Sequence, residues 1–284
     1  MERRRFLELA LASASEPQIP IIDTHVHFYD PARPQGVPWP QPTETGLYRT
    51  VLPDELKALA LPLGVAGCIK VEASPWLEDN QWILDLAARE PFIVGVVGHL
   101  DPSQPAFRKN LARLSTNRLF LGIRVGNLDG QDPESLRPLV DRNLQADVIG
   151  GPPILASVLR LADRFPALRI VIDHLPFDPP APELVELRSR PHVYAKVSGV
   201  LRRDGTPARY HEGLDELCDI FGPDRVMYGS NWPVSNLIGP YSEVLAVVRN
   251  YFHTKGREAE EKYFWKNSAG AYRWKPRTSA QPRA

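Results

Sequence analysis

Eight short runs of β-branched and other apolar residues recur near 19–25, 66–72, 92–99, 119–125, 144–149, 168–174, 192–198 and 225–230, mostly one βα unit apart. The clearest are Phe92-Ile93-Val94-Gly95-Val96-Val97, Leu168-Arg169-Ile170-Val171-Ile172 and Val193-Tyr194-Ala195-Lys196-Val197. Between runs lie segments with apolar residues at helical spacing, such as 78–88, 154–165 and 241–252. Strand runs alternating with helical segments indicate parallel strands joined by crossover helices. Eight such strands close a barrel, whereas a doubly wound open sheet usually has fewer. The expected fold class is therefore α/β, a (β/α)8 TIM barrel. It would span 17–275 as one domain, after a flexible or helical N-terminal extension 1–16 and before a Pro-rich, polar tail 276–284 read as disordered.

A chain of 284 residues suits a single barrel. Its 34 Lys and Arg balance its 34 Asp and Glu, so no overall field favours nucleic acid or an anionic membrane. Cys68 and Cys218 form no disulfide framework, which points to a reducing, cytoplasmic setting. Arg3-Arg4-Arg5-Phe6-Leu7 resembles a twin-arginine export signal, but the apolar stretch after it is short and interrupted by Glu8. No stretch reaches the roughly twenty apolar residues of a membrane span. The expected partner is a small molecule, with a homo-oligomer as a possible assembly.

One connection breaks the rhythm. Residues 29–53 are rich in Pro and Gly, contain Trp39 and Tyr48, and are too long for an ordinary βα loop. In a barrel this segment leaves the carboxyl end of the first strand, where it would form a lid or pocket wall, or else a packed surface loop.

Polar residues stand at the ends of the predicted strands, and burying them unpaired would cost kilocalories each. The first strand ends His25-Val26-His27, two imidazoles on one side of an alternating strand and half of a possible metal site. The others end at Lys70-Val71-Glu72, His99, Arg124, Asp173-His174, Lys196-Val197-Ser198 and Ser230-Asn231. His174 is either a satisfied core histidine or, beside His25 and His27, a third ligand. Asp173 should point to the opposite side of its strand and hold a helix or loop end. Glu72 and Lys196 could form a buried ion pair, and Arg124 could grip a substrate carboxylate or simply clamp Glu72. His99 precedes a turn and could face solvent, while His192, His211 and His253 fall outside the pattern.

Taken together, Ile22-Asp23-Thr24-His25-Val26-His27-Phe28, Gly122-Ile123-Arg124, Val171-Ile172-Asp173-His174-Leu175, Lys196-Val197-Ser198-Gly199 and the run from Phe221 to Pro233 resemble the amidohydrolase-related family. The closest branch is that of sugar-lactone hydrolases and 2-pyrone-4,6-dicarboxylate lactonase. The resemblance covers about Pro20 to Trp274, ending with Asn267-Ser268-Ala269-Gly270-Ala271-Tyr272. It implies a (β/α)8 barrel of the metal-dependent-hydrolase type, with His25, His27 and His174 around a reaction centre at the carboxyl ends of the strands. One departure matters. The family usually carries Gly-Ser-Asp-Trp-Pro on the eighth strand, with Asp as metal ligand or general base. This chain has Asn231, a carboxamide that cannot accept a proton at neutral pH.

The expected activity is hydrolysis of a small cyclic ester, a sugar-derived or carboxylated lactone. In one version His25, His27 and His174 hold one divalent ion, Zn²⁺ by preference, that activates water. In the other the histidines polarise the carbonyl without a metal. Glu72 or His99 would carry protons, Asn231 would tune the centre, and Arg124, Lys196 and Trp232 would orient substrate or stabilise the oxyanion. The rival readings are metal-dependent non-oxidative decarboxylation and a degenerate barrel that binds a ligand without turnover.

Overall fold

The computed structural model describes residues 18–126, 128, 130–178, 181–201 and 207–283. The expected extension 1–16, with its export-like motif, lies outside the described residues. The eight β-branched runs form β1 (Ile21–Val26), β2 (Val65–Val71), β3 (Ile93–Gly98), β4 (Phe120–Val125), β5 (Gln145–Val148), β6 (Ile170–Leu175), β7 (Val193–Val197) and β8 (Val226–Tyr228). All neighbours pair in parallel, in chain order. The barrel closes just beyond β8. Asn231 N donates to His25 O at 2.9 Å and His27 N to Trp232 O at 2.9 Å.

The outer layer holds α1 (Pro53–Ala60), α2 (Leu77–Arg89), α3 (Phe107–Leu114), α4 (Arg137–Asp141), α5 (Leu155–Arg164), α6 (Pro207–Phe221) and α7 (Tyr241–Thr254). A 3₁₀ stretch, Pro182–Ser189, crosses from β6 to β7. Each long helix buries one stripe against the sheet. In α5 the stripe includes Leu155, Val158, Leu161 and Ala162, and in α7 Val244, Leu245, Val248 and Phe252. After α8 (Arg257–Glu261) and a π-helical turn, α9 (Asn267–Tyr272) folds under the barrel. There Ala271, Tyr272 and Trp274 pack with Ile22, Val94, Leu121, Val171 and Met227 from the amino-terminal halves of the strands. No helix among the described residues is long and apolar enough to cross a membrane.

The segment read as a disordered tail is ordered through residue 283. Arg277 Nη1 donates to the carbonyls of Ala87, Glu90 and Ile93, and Gln281, 3% exposed, donates to Ala66 O and Pro91 O. These contacts satisfy backbone groups at the amino-terminal rim that local composition does not reveal.

Two strands carry one extra residue where the site is built. From Asp23 to Val26 β1 advances three residues while its partner advances two, from Cys68 to Lys70. From Ile172 to Leu175 β6 does the same against Ala195 to Val197. Such bulges re-aim side chains. In β1 the inward face passes from Ile22 to His25, and Asp23 turns out to the helix layer.

Candidate active site

The carboxyl ends of the strands surround a cavity of about 370 Å³. His27, Glu72, Arg124, His174 and Asn231 contribute polar groups, and Trp39, Ala73, Pro75, Ile149 and Val234 apolar walls. Trp39 comes from the long segment after β1, whose ends pair where Tyr29 and Val51 exchange hydrogen bonds of 3.0 and 2.9 Å. Its ring meets those of His27 and Tyr29 edge-on at 5.7 and 5.3 Å. The segment thus supplies a pocket wall.

His25 lies beneath this cavity, fully buried, its ring 5.0 Å from that of His27 and 4.6 Å from that of His174. Gly229 makes room for it, since a Cβ there would stand 2.8 Å from His25 Cβ. Both ring nitrogens of His25 are buried without a hydrogen-bond partner. His27 differs. Its Nδ1 faces the carbonyls of Val71 and Glu72, each at 3.1 Å. Carbonyls only accept, so Nδ1 carries the proton of the neutral ring and Nε2 is the acceptor. His174 adopts a left-handed backbone, φ 61°, and Ser198 Oγ holds both its N–H (2.9 Å) and its Nδ1 (3.1 Å).

That left-handed residue, on the bulge, overturns the expectation that Asp173 points away from His174. Asp173 Oδ1 lies 3.6 Å from His25 Nδ1. One donor atom each from His25, Asp173 and His174 lies within 4.8 Å of the others. The compact donor group contains Asp173 where the sequence suggested His27. Burial pushes all three imidazoles below the usual histidine value, His25 and His27 far below it, so they are neutral at pH 7.

Lys196 does not reach the cavity. It is fully buried, paired with Asp147 at 2.5 Å and with Asp173 at 2.9 Å. Its expected roles in substrate binding and oxyanion stabilisation, and its alternative pairing with Glu72, give way to this network. Tyr272 Oη from the floor donates to Asp147 at 2.9 Å. Burial works to raise Asp173, but the Lys196 ammonium and His25 outweigh it and hold its carboxyl well down. Burial with only one shared cation pushes Asp147 up to about 7.

Glu72 and Arg124 are at the cavity but engaged with each other. Arg124 Nε and Nη2 meet Glu72 Oε1 at 2.8 and 2.7 Å, and Glu72 Oε2 accepts from Ser74 N at 3.0 Å. The clamp reading of Arg124 is the one realised, and Glu72 is no free proton carrier. Trp232, expected to touch substrate, is fully buried against Phe28, with ring centroids 6.2 Å apart. Its carbonyl instead fixes His27 at the closure. Asn231, with φ 57°, faces the cavity, and among the described residues its carboxamide has no hydrogen-bond partner. His99 lines a neighbouring cavity rather than this one.

Sequence reasoning missed Asp147, the hold of Ser198 on His174 and the role of Asp23. Asp23 accepts from Ser230 N at 2.9 Å, Tyr241 Oη at 2.9 Å and His25 N at 3.2 Å, and burial raises it to about 6. An aspartate inside an apolar strand was its only signal.

This geometry agrees with relatedness. The model of the amidohydrolase family matches residues 22–274. The chain belongs to the amidohydrolase family. An L-fucono-1,5-lactonase of Burkholderia ambifaria is 33% identical over 242 residues, covering 78% of this chain and 83% of that protein. An L-fucono-1,5-lactonase of Burkholderia multivorans is 30% identical over 282 residues, covering 87% and 94%. A crystal structure of a Burkholderia multivorans amidohydrolase with bound zinc superposes with TM-score 0.79 at 26% identity, over 90% of this chain and all of that one.

Proposed function

We propose that this amidohydrolase hydrolyses an uncharged, sugar-derived lactone to its open hydroxy acid. One observation carries the choice of substrate. Among the described residues lining the cavity the sole cation, Arg124, is committed to Glu72, and the histidines are neutral. A dicarboxylated lactone would find no unpaired positive charge, whereas a polyol ring finds hydrogen-bonding groups beside apolar walls. The two lactonase relatives support the same reaction class.

The donor set fits one divalent cation, zinc by preference. His25 has two orphaned buried nitrogens, His174 is neutral, and Asp173 adds an anionic oxygen. His25, His174 and Asp173 would hold the ion, with His27 beside it. When bound, such an ion supplies Lewis acidity to the ester carbonyl and to the attacking water.

The chain's own residues supply the rest. His27 Nε2 takes a proton from water as its oxygen bonds to the lactone carbon. The Asn231 amide donates to the oxygen that gains charge, doing what a base at this position could not. When the ring C–O bond breaks, His27 returns the proton to the departing alkoxide. Trp39 and Val234 bound the ring on the apolar side.

A panel of lactones assayed by acid release tests this. Uncharged six-carbon aldonolactones should turn over, with carboxylated lactones at least tenfold poorer in kcat/KM, about the 1.4 kcal/mol of one unmet charge contact. A preference for dicarboxylated lactones, or binding without turnover, would contradict the proposal.

A further inference from the structure

A second cavity of about 300 Å³ lies beside the first, and Arg124 lines both. Each is near the lower end of the roughly 300–1,000 Å³ of small-molecule sites. The second is walled by His99, Leu100, Asp101 and Ser103 from the β3–α3 connection. It belongs to the carboxyl-end face but holds none of the reaction-centre histidines.

Its polar groups are set for recognition. The His99 backbone is pinned from both directions. Its N–H donates to Asn80 Oδ1 and its C=O accepts from Asn80 Nδ2, each at 2.9 Å. Its imidazole makes no hydrogen bond among the described residues, so a rigid backbone presents an uncommitted ring. Asp101 Oδ1 accepts from Ser103 N at 2.9 Å and Ser103 Oγ at 2.7 Å. These bonds keep Asp101 below the usual carboxylate range, and the cavity wall carries a fixed anion. The neighbouring guanidinium of Arg124 is occupied by Glu72. An anionic arm would be repelled, while hydroxyl groups could donate to Asp101 and bond His99, with Leu100 and Pro102 as apolar floor.

We propose that this cavity is a subsite for a neutral, hydroxyl-bearing arm, such as a glycosyl unit, attached to a lactone ring in the main cavity, with His99 as its hydrogen-bonding anchor. The physiological substrate is then an extended sugar lactone, and His99 selects it without taking part in the chemistry. This rests on the lactonase reading.

The test uses two non-hydrolysable probes, the lactam of a six-carbon aldonic acid and the same lactam carrying one glycosyl unit. Their affinities are measured by calorimetry alongside turnover of the matching lactones. Wild-type protein should bind the glycosylated lactam about fivefold tighter, the scale of one neutral hydrogen bond. His99→Ala should remove that advantage and raise KM for the extended lactone alone, leaving kcat and the plain lactone unchanged. His99→Phe, which keeps an aromatic ring but no hydrogen-bonding nitrogen, should lose the same advantage and spare the plain ligand. Equal affinities in the wild type, or equal losses for both ligands in His99→Ala, would overturn the subsite. An intact glycosyl advantage with no turnover of either lactone would instead sink the lactonase reading and leave the subsite standing.

Discussion

The two ends of the barrel differ in how fully their buried polar groups are partnered. At the amino-terminal floor, polar side chains are largely partnered, with Gln145 Oε1 an exception. Tyr272 reaches Asp147, Asn267 Nδ2 donates to Pro223 O and Val226 O at 2.8 Å each, and Trp274 Nε1 donates to Ser268 at 3.1 Å. At the carboxyl mouth, the fully buried His25 has two orphaned ring nitrogens. Left-handed non-glycine backbone occurs at both ends, at His174 and Asn231 in the mouth and at Asn143 and Arg273 by the floor. Unsatisfied buried atoms persist only where surrounding structure enforces them, and a pair on one ring at a cavity marks a site of chemistry. The floor holds the barrel and the mouth spends that stability on reactivity. Lys196 joins them, its ammonium lying between Asp147, which touches the floor, and Asp173, which touches the site.

The largest stability effect should come from cutting that link. Lys196→Met leaves two buried carboxylates without their cation and should lose roughly 3–5 kcal/mol in urea unfolding. A loss below about 1 kcal/mol would mean that floor and mouth are not coupled through this charge.

Lys70 should behave in the opposite way. It is a buried residue of β2, and burial lowers it to about 8 from a usual 10.5. Below pH 8 it is charged in both folded and unfolded chains, so the folded state carries the whole desolvation cost. As pH rises from 8 towards 10.5 the folded chain loses its proton first, and the cost disappears. Lys70→Met should therefore stabilise the protein at neutral pH by on the order of 3 kcal/mol, with the gain shrinking above pH 8. A pH-independent effect would contradict this assignment.

The smallest effect sharpens the contrast. Tyr272→Phe removes one floor hydrogen bond from Asp147 and should cost about 1–2 kcal/mol in the same unfolding measurement. Lactone turnover should stay within about twofold. A large loss of kcat with little loss of stability would place the floor inside the catalytic machinery.

Much of this was legible in the sequence because strands and helices write their periods locally. The eight runs fall within a residue or two of the observed strands, and polar strand ends mark the mouth. What escaped depends on one-residue events and distant partners. The bulge in β6 and the left-handed turn at His174 bring Asp173 inward, against simple alternation. Lys196 reads as a mouth residue at a strand end, yet Asp147 on β5 draws it into the barrel. The tail reads as disordered by composition, but Arg277 answers carbonyls roughly 190 positions earlier.

The most direct test of the account is His25→Ala, with metal content and lactone turnover measured on the same folded preparation. The account predicts that turnover falls about a thousandfold, the scale of losing a principal transition-state contact, and that bound metal is lost while the unfolding midpoint changes little. Turnover retained in His25→Ala would contradict it.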